Sequence, residues 1–278
     1  MTLAACASRT PAVADALDLS HYKLVFDEDF SQPSISAHGP GTRWIAHTPW
    51  HGDFGDAHFV DPRPGFPFDH DGKTFRIGMH RTADGRWESG LLASVDEKGH
   101  GFALQYGYFE IRAKLPKGPG VWPSFWLDSF VPAPLEDPSI EIDIFEHYGK
   151  FPGAFNTTVT SWPKAGHGDH SSKMYISKVA EGSLSSGFHR YGVMVTPEWC
   201  IFFLDGEEFW RTPTPPNHKH PLMLLADLGL GGGWPISEAP NPAYMSIDYI
   251  RAYVPTSCRP ATEGLPAQAF PPDLKPCS

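Results

Sequence analysis

The chain has 278 residues, is 41% hydrophobic and carries a formal net charge of −10 at pH 7. This length and apolar content indicate a globular protein with a sizeable core and exclude a disordered chain. The negative charge and the lack of any cluster of lysine and arginine argue against nucleic acid or an anionic membrane surface as a partner.

The chain starts with Met1-Thr2 and then Leu3-Ala4-Ala5-Cys6, which resembles the lipid-attachment box of bacterial lipoproteins. Either these residues end a longer signal peptide, in which case Cys6 is a lipid anchor, or the match is chance. We interpret residues 1–20 as a signal remnant and flexible leader. The expected protein is a monomer that is secreted, periplasmic or anchored to a bacterial outer membrane.

Folded sequence is expected from residue 21, where a short strand precedes a segment rich in glycine, proline and histidine over 31–72. Irregular segments of this length are usually functional or mobile. His47 and His51 are candidate zinc ligands. No cysteine or third ligand has a recognisable spacing from them, so we predict no zinc there. Strands recur from Lys73 and include a half-buried strand over 102–115, in which apolar and charged residues alternate.

Two tryptophans lie in the next predicted strand, Val121-Trp122-Pro123-Ser124-Phe125-Trp126-Leu127. Such tryptophans are either core residues or flat platforms on which sugar rings stack. Trp126 lies between two apolar residues, which favours a core position. Trp122, beside a proline at the start of the strand, is the better candidate for a sugar-facing ring.

An acidic strand follows, Ser139-Ile140-Glu141-Ile142-Asp143-Ile144-Phe145-Glu146-His147. Isoleucine at every second position predicts one core face and an opposite face that carries Glu141 and Asp143. Glu146 breaks the alternation, and a β-bulge around residues 144–145 would return it to the acidic face. Two glutamates so placed can approach to the separation of about 5 to 5.5 Å that retaining glycosidases need. The ordinary alternative is a row of solvated charges on the outer face of a strand.

The rest of the sequence predicts further short strands and no convincing helix. Asp205-Gly206 suits a type I′ turn within a hairpin over 199–211, and Cys200 is expected to be a buried thiol. Cys258 and Cys277 could close the proline-rich tail, 257–278, as a disulfide in an oxidising compartment. A sandwich, a jelly roll or a barrel fits this pattern of strands.

Taken together, the motifs resemble glycoside hydrolase family 16, the laminarinase and lichenase group. The resemblance covers about residues 21–254 and rests on five motifs in family order: Tyr106 to Pro116, Trp122 to Trp126, Glu141 to His147, Trp199 with Asp205-Gly206, and Met245 to Tyr253. It implies an all-β catalytic domain over 21–256, built as a β-jelly-roll sandwich of two stacked antiparallel sheets with a concave substrate cleft. It also implies endo-acting, retaining hydrolysis of a polysaccharide without a required cofactor.

The resemblance further implies roles for individual residues. Glu141 matches the nucleophile, Asp143 the helper carboxylate and Glu146 the acid/base of the bulged, laminarinase-like members. Six other residues are expected to contact the polysaccharide: Trp50, Arg112, Trp122, Trp126, His147 and Trp162. A structural calcium in some members implies Asp29 and Asp248 as its ligands here. Many β-glucanases carry a histidine on the strand after the catalytic one, where this chain has 156–162 without histidine.

The expected function is therefore hydrolysis of a β-1,3 or mixed β-1,3/1,4 glucan by double displacement. One alternative is a glycanase for another polymer, either a succinoglycan-like bacterial exopolysaccharide or a galactan. Another is a jelly roll that binds carbohydrate without hydrolysing it. The complete carboxylate trio argues against the binding protein, because binding alone needs neither a nucleophile nor an acid.

Overall fold

A computed structural model describes residues 16–131, 137–164 and 167–256 of the chain. Cys6, Cys258 and Cys277 lie outside these ranges, and so do the predicted lipid anchor and disulfide. Within the ranges, regular structure is almost entirely β, and the helix found there, α1 (Ser183–Ser186), has four residues. No helix of the described residues has the length and hydrophobicity of a bilayer span.

The described residues form nineteen strands. In chain order they are β1 (Tyr22–Glu28), β2 (Ile35–Ser36), β3 (Trp44–Ile45), β4 (His58–Phe59), β5 (Phe68–His70), β6 (Phe75–Arg81), β7 (Trp87–Ser89), β8 (Leu91–Ala93), β9 (Ala103–Leu104), β10 (Gly107–Lys114), β11 (Val121–Ser129), β12 (Ser139–Glu146), β13 (Ala154–Trp162), β14 (Ser171–Lys178), β15 (His189–Val195), β16 (Trp199–Leu204), β17 (Glu207–Pro213), β18 (Leu222–Leu230) and β19 (Ala243–Pro255).

These strands make two sheets. The first has ten strands in the order β17-β16-β15-β10-β19-β6-β7-β4, with β1 also on β19 and β5 also on β6. The second has nine strands in the order β14-β13-β12-β11-β18-β8-β3-β2, with β9 also on β18. The predicted jelly-roll sandwich is confirmed, although two short pairs at the sheet edges, β2 with β3 and β4 with β7, are parallel rather than antiparallel.

The main core lies between the sheets because each sheet presents alternate apolar residues to the other. Phe109 and Ile111 of β10 are buried there, and so are Ile142 of β12 and Leu224 of β18. A second apolar cluster lies on the other face of the nine-stranded sheet, where Ile45 and other residues of the 31–72 segment pack against β18. That segment therefore covers one half of the outer face and leaves the half formed by β11 to β14 open.

Two local predictions are also confirmed. Asp205 and Gly206 have φ angles of 54° and 88°, the positive values that a type I′ turn requires at both central positions. Cys200 has no exposed surface, and its burial raises the pKa of the thiol to about 11.

Candidate active site

Carboxyl groups line up on the open face of the nine-stranded sheet because four neighbouring strands share one register. Side chains opposite each other on adjacent strands lie on the same face. Three rows consequently cross this face: Thr160, Glu141, Asp128 and Met223; Thr158, Asp143, Trp126 and Leu225; and Asn156, Glu146, Ser124 and Asp227. In each row, one predicted catalytic carboxyl group lies beside a side chain of β11.

A β-bulge in β12 brings the third carboxyl group into line. On β11, Phe125 pairs with Phe145 whereas the next residue, Trp126, pairs with Asp143, so one residue of β12 is extra. The register with β13 shifts over the same stretch, between Asp143 and Glu146. Because the bulge absorbs one residue, Glu146 returns to the acidic face, as the alternation of the sequence predicted.

Aromatic side chains form the walls above these carboxyl groups. Together they enclose a hollow of about 220 Å³, lined by Trp50, Phe54, Trp122, Ser124, Trp126, Glu141, Asp143 and Glu146. Trp50 is 45% exposed and stands on the wall, whereas Trp126 is only 7% exposed and closes the floor. The hollow thus offers a flat apolar surface beside ionisable groups, the combination with which proteins bind sugar rings.

The hollow continues into a groove at both ends. Beyond Glu141 lies a second hollow that shares Trp50 and includes Phe130 and Ser139. Beyond Glu146 lies a third, which is lined by Tyr148 and Trp234 among others. The three lie in the direction of β12, so an extended chain of several sugar units fits across the carboxyl groups.

Hydrogen bonds to the two glutamates differ in number. Trp122 donates from Nε1 to Glu146 Oε1 at 3.1 Å, and the Tyr148 hydroxyl donates to the same oxygen at 3.1 Å. Glu141 accepts one hydrogen bond from the indole of Trp162. These donors fix the direction of both carboxyl groups and favour their ionised forms.

Burial has the opposite effect and prevails at all three predicted catalytic positions. It is the main cause that raises the pKa of Glu141 to about 7, and repulsion from Glu146 adds to the rise. Burial also raises the pKa of Glu146, against the hydrogen bonds from Tyr148 and Trp122. The pKa of Asp143 is raised strongly, first by burial and then by its acidic neighbours. These three carboxyl groups therefore retain protons at pH values where isolated carboxyl groups have lost them.

Two further carboxyl groups belong to this floor and were not predicted. Asp227 has no exposed surface, accepts hydrogen bonds from Trp126 Nε1 at 2.8 Å and from the Gly229 backbone N–H at 3.0 Å, and burial raises its pKa to about 8. Asp128 lies beside Glu141, and burial is the first cause that raises its pKa well above the usual range. A lone aspartate in the apolar run 222–230 was the available signal for Asp227, because an unpaired buried charge is costly.

The structure places four of the six predicted substrate contacts at the groove and two elsewhere. Trp50, Trp122 and Trp126 line the central hollow, and Trp162 bonds Glu141. The other two predictions, Arg112 and His147, are wrong.

Arg112 lies on β10 of the ten-stranded sheet, where it pairs with Asp248 at 2.6 Å and stacks over Phe188. Its neighbours Ile111 and Ala113 point into the core, so its own side chain points out of the sandwich on the side away from the carboxyl groups. His147 is only 1% exposed and directs Nδ1 to the backbone oxygen of Ala154 at 2.9 Å. Neither side chain is in reach of a sugar in the groove.

The residues predicted to hold calcium do not fit that ion. The Asp248 carboxylate is occupied by the guanidinium of Arg112, and a positive charge beside a ligand opposes cation binding. Asp29 accepts a hydrogen bond from the backbone N–H of Ser31, the local arrangement of a turn. Asp29 and Asp248 are therefore poorly suited to hold calcium.

Comparison with known proteins decides the family. The profile described as Glycosyl hydrolases family 16 matches residues 69–251, which is more than half of the chain and includes β10 to β18. The chain belongs to glycosyl hydrolase family 16. Membership confirms the resemblance drawn from the five sequence motifs and places the acidic strand β12 inside the matched region.

Individual relatives of this family 16 chain are similar over part of their length. Endo-1,3-1,4-beta-glycanase EglC of Rhizobium meliloti (strain 1021) is 34% identical over 169 residues, which are 60% of this chain and 33% of the relative. Glucan endo-1,3-beta-glucosidase A1 of Niallia circulans is 30% identical over 208 residues, which are 66% of this chain and 28% of the relative. The family 16 chain thus spans about a third of the length of these relatives.

Solved structures share its fold. The non-specific endo-beta-1,3(4)-glucanase SCLam superposes with a TM-score of 0.68 at 23% identity, over 87% of this chain and 95% of the other. The catalytic domain of a laminarinase from Thermotoga petrophila RKU-1 superposes with a TM-score of 0.64 at 22% identity, over 87% and 99% respectively. At such identities the likeness establishes the jelly-roll fold.

Proposed function

We propose that this protein is a retaining endo-glycosidase that hydrolyses a β-1,3 or mixed β-1,3/1,4 glucan. The observation that carries the proposal is the bulged strand β12, which aligns three carboxyl groups along the floor of a tryptophan-walled groove. The groove is open at both ends of this floor, which suits cleavage within a chain rather than at its tip. The similar enzymes are named as an endo-1,3-1,4-beta-glycanase and a glucan endo-1,3-beta-glucosidase, which supports the same reaction.

In the proposed mechanism, Glu146 is the acid/base and Glu141 the nucleophile. In the first step Glu146 gives its proton to the glycosidic oxygen while a Glu141 oxygen bonds to the anomeric carbon and the old carbon–oxygen bond breaks. In the second step Glu146 takes a proton from water, the water oxygen bonds to the anomeric carbon, and Glu141 leaves. The configuration at the anomeric carbon is retained because each step inverts it once.

The raised pKa values of the two glutamates support a pair that holds one proton. The reaction starts with one proton on the Glu141 and Glu146 pair, and burial together with mutual repulsion favours one shared proton near neutral pH. Asp143 lies between the two glutamates, and its own raised pKa lets it remain protonated and donate a hydrogen bond to Glu141. A donor at that position would stabilise the nucleophile as an anion while the shared proton resides on Glu146.

The charge of the groove supports a neutral substrate. Five carboxyl groups lie on its floor, including Asp128 and Asp227 beside the predicted three. Glu141 is an anion in the proposed reaction, so an anionic sugar substituent above it would meet a like charge in a poorly solvated place, which costs binding energy. A neutral glucan is thus favoured over an acidic exopolysaccharide, and no contact in the groove favours a galactan or a protein that only binds.

The reaction is tested by measuring new reducing ends from laminarin, lichenan, barley β-glucan, succinoglycan and agarose. The wild type is compared with Glu141→Gln, Glu146→Gln and the control Asp84→Asn, which changes an exposed carboxylate in the turn between β6 and β7 of the other sheet. We expect release from a glucan, a loss of ~10²–10⁴-fold or more in both groove variants and no loss in the control. Unchanged activity in either groove variant would contradict the proposal.

The individual roles are tested by adding azide to Glu141→Ala and Glu146→Ala with an activated aryl β-glucoside. In Glu141→Ala, azide replaces the nucleophile in a single inverting step and should give the α-glycosyl azide. In Glu146→Ala, azide attacks the glycosyl-enzyme and should give the β-glycosyl azide. The opposite pair of products would mean that the two roles are exchanged.

We also propose an extracytoplasmic location, which is supported by the sequence around Cys6 and by the use of a polymer too large to enter a cell. Labelling with radioactive palmitate of the protein expressed from its unaltered gene in its own host tests the anchor. Label that is lost in Cys6→Ser supports it, and a wild type without label contradicts it.

A further inference from the structure

A histidine and aspartate cluster lies apart from the carboxyl groups, in the 31–72 segment. Each of its three members follows a two-residue strand by two positions: His38 follows β2, His47 follows β3 and Asp61 follows β4. β2 and β3 form one edge of the nine-stranded sheet, whereas β4 forms an edge of the ten-stranded sheet. The cluster therefore joins the edges of both sheets at the same end of the sandwich.

The side chains already converge. His47 Nε2 lies 2.8 Å from Asp61 Oδ1, and one ligand atom of each of the three residues lies within 4.8 Å of the other two. The rings of His38 and His47 are stacked, with centroids 4.8 Å apart and planes at 20°. Of the residues that the structure describes, this is the group in which at least three such side chains meet.

The spacing suits a tetrahedral metal ion. Zinc binds histidine nitrogen and carboxylate oxygen at about 2.0–2.2 Å, so two ligand atoms of one tetrahedral ion lie about 3.3–3.6 Å apart. The separation of His47 Nε2 and Asp61 Oδ1 is 2.8 Å and the other two pairs lie within 4.8 Å, so shifts of about 1 Å by side-chain rotation would close the set. Two imidazoles with one carboxylate are also a ligand set that zinc accepts, with the fourth position left for water.

The surroundings favour a cation rather than three independent surface residues. The ring of His51 lies 5.5 Å from that of His38, so three imidazole rings are gathered in one place. Two carboxylates border them, Asp61 on His47 and Glu97 on His51 at 2.9 Å. Within this group, His38, His47 and Asp61 bring two imidazole nitrogens and one carboxylate oxygen within 4.8 Å of one another.

We propose that His38, His47 and Asp61 bind a divalent transition-metal ion of the zinc type, which fastens the edges of the two sheets together. The segment needs such support because its strands have two or three residues each and supply few backbone hydrogen bonds. Trp50 and Phe54 lie between the second and third ligands in the chain and line the groove. The ion would therefore hold one wall of the groove in place.

The full chain, without any histidine tag and after treatment with a chelator, is titrated with ZnCl₂ by calorimetry. The metal content is measured independently by mass spectrometry after gel filtration. We expect one equivalent of zinc per chain, a higher melting temperature in its presence, and no comparable effect of magnesium or calcium, because imidazole ligands suit the softer ion.

The variants His38→Ala and Asp61→Asn are expected to bind zinc more weakly by at least about 10-fold. Both residues are exposed, so the metal-free variants should melt like the metal-free wild type. The matched control is His58→Ala, which removes the pair of His58 Nδ1 with Asp53 Oδ2 at 2.9 Å in the same segment but outside the cluster. It should bind zinc like the wild type.

Three results would overturn the proposal. They are the absence of stoichiometric binding to the wild type, equal binding by His38→Ala and the wild type, and an equal loss in His58→Ala. The last two would mean that zinc binds to scattered surface histidines. Because the readout is metal binding and melting temperature, it stands whether or not the protein hydrolyses a glucan.

Discussion

Replacing Asp227 by asparagine should change how the stability of the fold depends on pH. The carboxyl group is fully buried on β18, and burial raises its pKa from 3.8 to about 8. In the unfolded chain the same group loses its proton near pH 4. Between these two pH values the folded protein holds one proton more than the unfolded chain at this position, so unfolding releases a proton.

The sign and size follow from this difference. A raised pKa of an acid means that its contribution to stability is complete below pH 4 and is lost as the pH rises toward 8. The loss is about 1.4 kcal/mol per pH unit while the proton difference is one, or about 3 kcal/mol between pH 5 and 7. Asparagine has no proton to lose, so the curve of Asp227→Asn should be less steep by that amount.

The assay is urea unfolding of the wild type and Asp227→Asn at pH 5, 6 and 7, followed by tryptophan fluorescence. The asparagine side chain can still accept the hydrogen bond from Trp126 Nε1, but its amide group faces the Gly229 N–H, a fixed cost at every pH. The slope is therefore the diagnostic quantity, rather than the stability at one pH. Parallel curves would refute the assignment of a buried, protonated Asp227.

Asp84→Asn is the matched control. Asp84 is exposed, and hydrogen bonds from Thr82 and Arg86 lower its pKa, so it is ionised in the folded and unfolded states throughout pH 5 to 7. Its removal should leave the slope of the wild type unchanged. A flatter curve in this variant too would trace the effect to general charge rather than to burial.

Three other changes test the groove and the core. Tyr148→Phe removes a donor that lowers the pKa of Glu146, so the alkaline limb of the kcat/KM profile should move to higher pH. A shift to lower pH would contradict this expectation. Trp50→Ala should raise KM by about 10-fold because stacking on the substrate is lost. The melting temperature should not fall, because the ring is 45% exposed. A KM equal to that of the wild type would mean that Trp50 does not contact the substrate. Gly192→Ala places a Cβ atom against the Tyr108 hydroxyl and should lower the free energy of unfolding, measured in urea, by about 1–3 kcal/mol. An unchanged free energy would show that the Tyr108 ring can move aside.

The acidic strand could be predicted from sequence because its signals are local. Alternation fixes which residues of β12 face the core, and the position of Glu146 out of phase with Glu141 requires one extra residue in between. The structure has the bulge at that place. The hairpin turn at Asp205-Gly206 was predictable for the same reason, since two adjacent residues determine it.

The neighbours of the acidic strand could not be predicted in this way. Asp227 lies beside Ser124 and thereby near Glu146, although about eighty residues separate it from Glu146 in the chain. Such a contact depends on the order of strands in the sheet and on their register, and neither is written in a local pattern. The same limit applies to the proposed metal ligands, which come from three separate turns and have no regular spacing.

The two wrong substrate contacts have different physical origins. Arg112 follows the alternation of β10 correctly, but that strand belongs to the sheet without the carboxyl groups, and sequence periodicity does not tell the two sheets apart. His147 directly follows Glu146 at the end of β12, where the chain leaves the sheet and turns the imidazole inward to the backbone of Ala154. Closeness to a catalytic residue in sequence is thus a poor guide to the groove once a strand has ended.

In this fold the protonation of the carboxyl groups on one sheet face affects both activity and stability. The sheet carries several buried carboxyl groups on one face, and each costs least when it is protonated, so these groups contribute most to stability on the acidic side. The proposed reaction needs the opposite for one group, because Glu141 must be an anion when it attacks. The pH of the maximal rate should therefore lie above the pH of maximal stability. Asp227→Asn separates the two, since it removes a stability penalty at neutral pH while it leaves the three catalytic carboxyl groups in place; a rate profile and a stability profile with the same optimum would show that the buried carboxyl groups are not protonated in the folded protein.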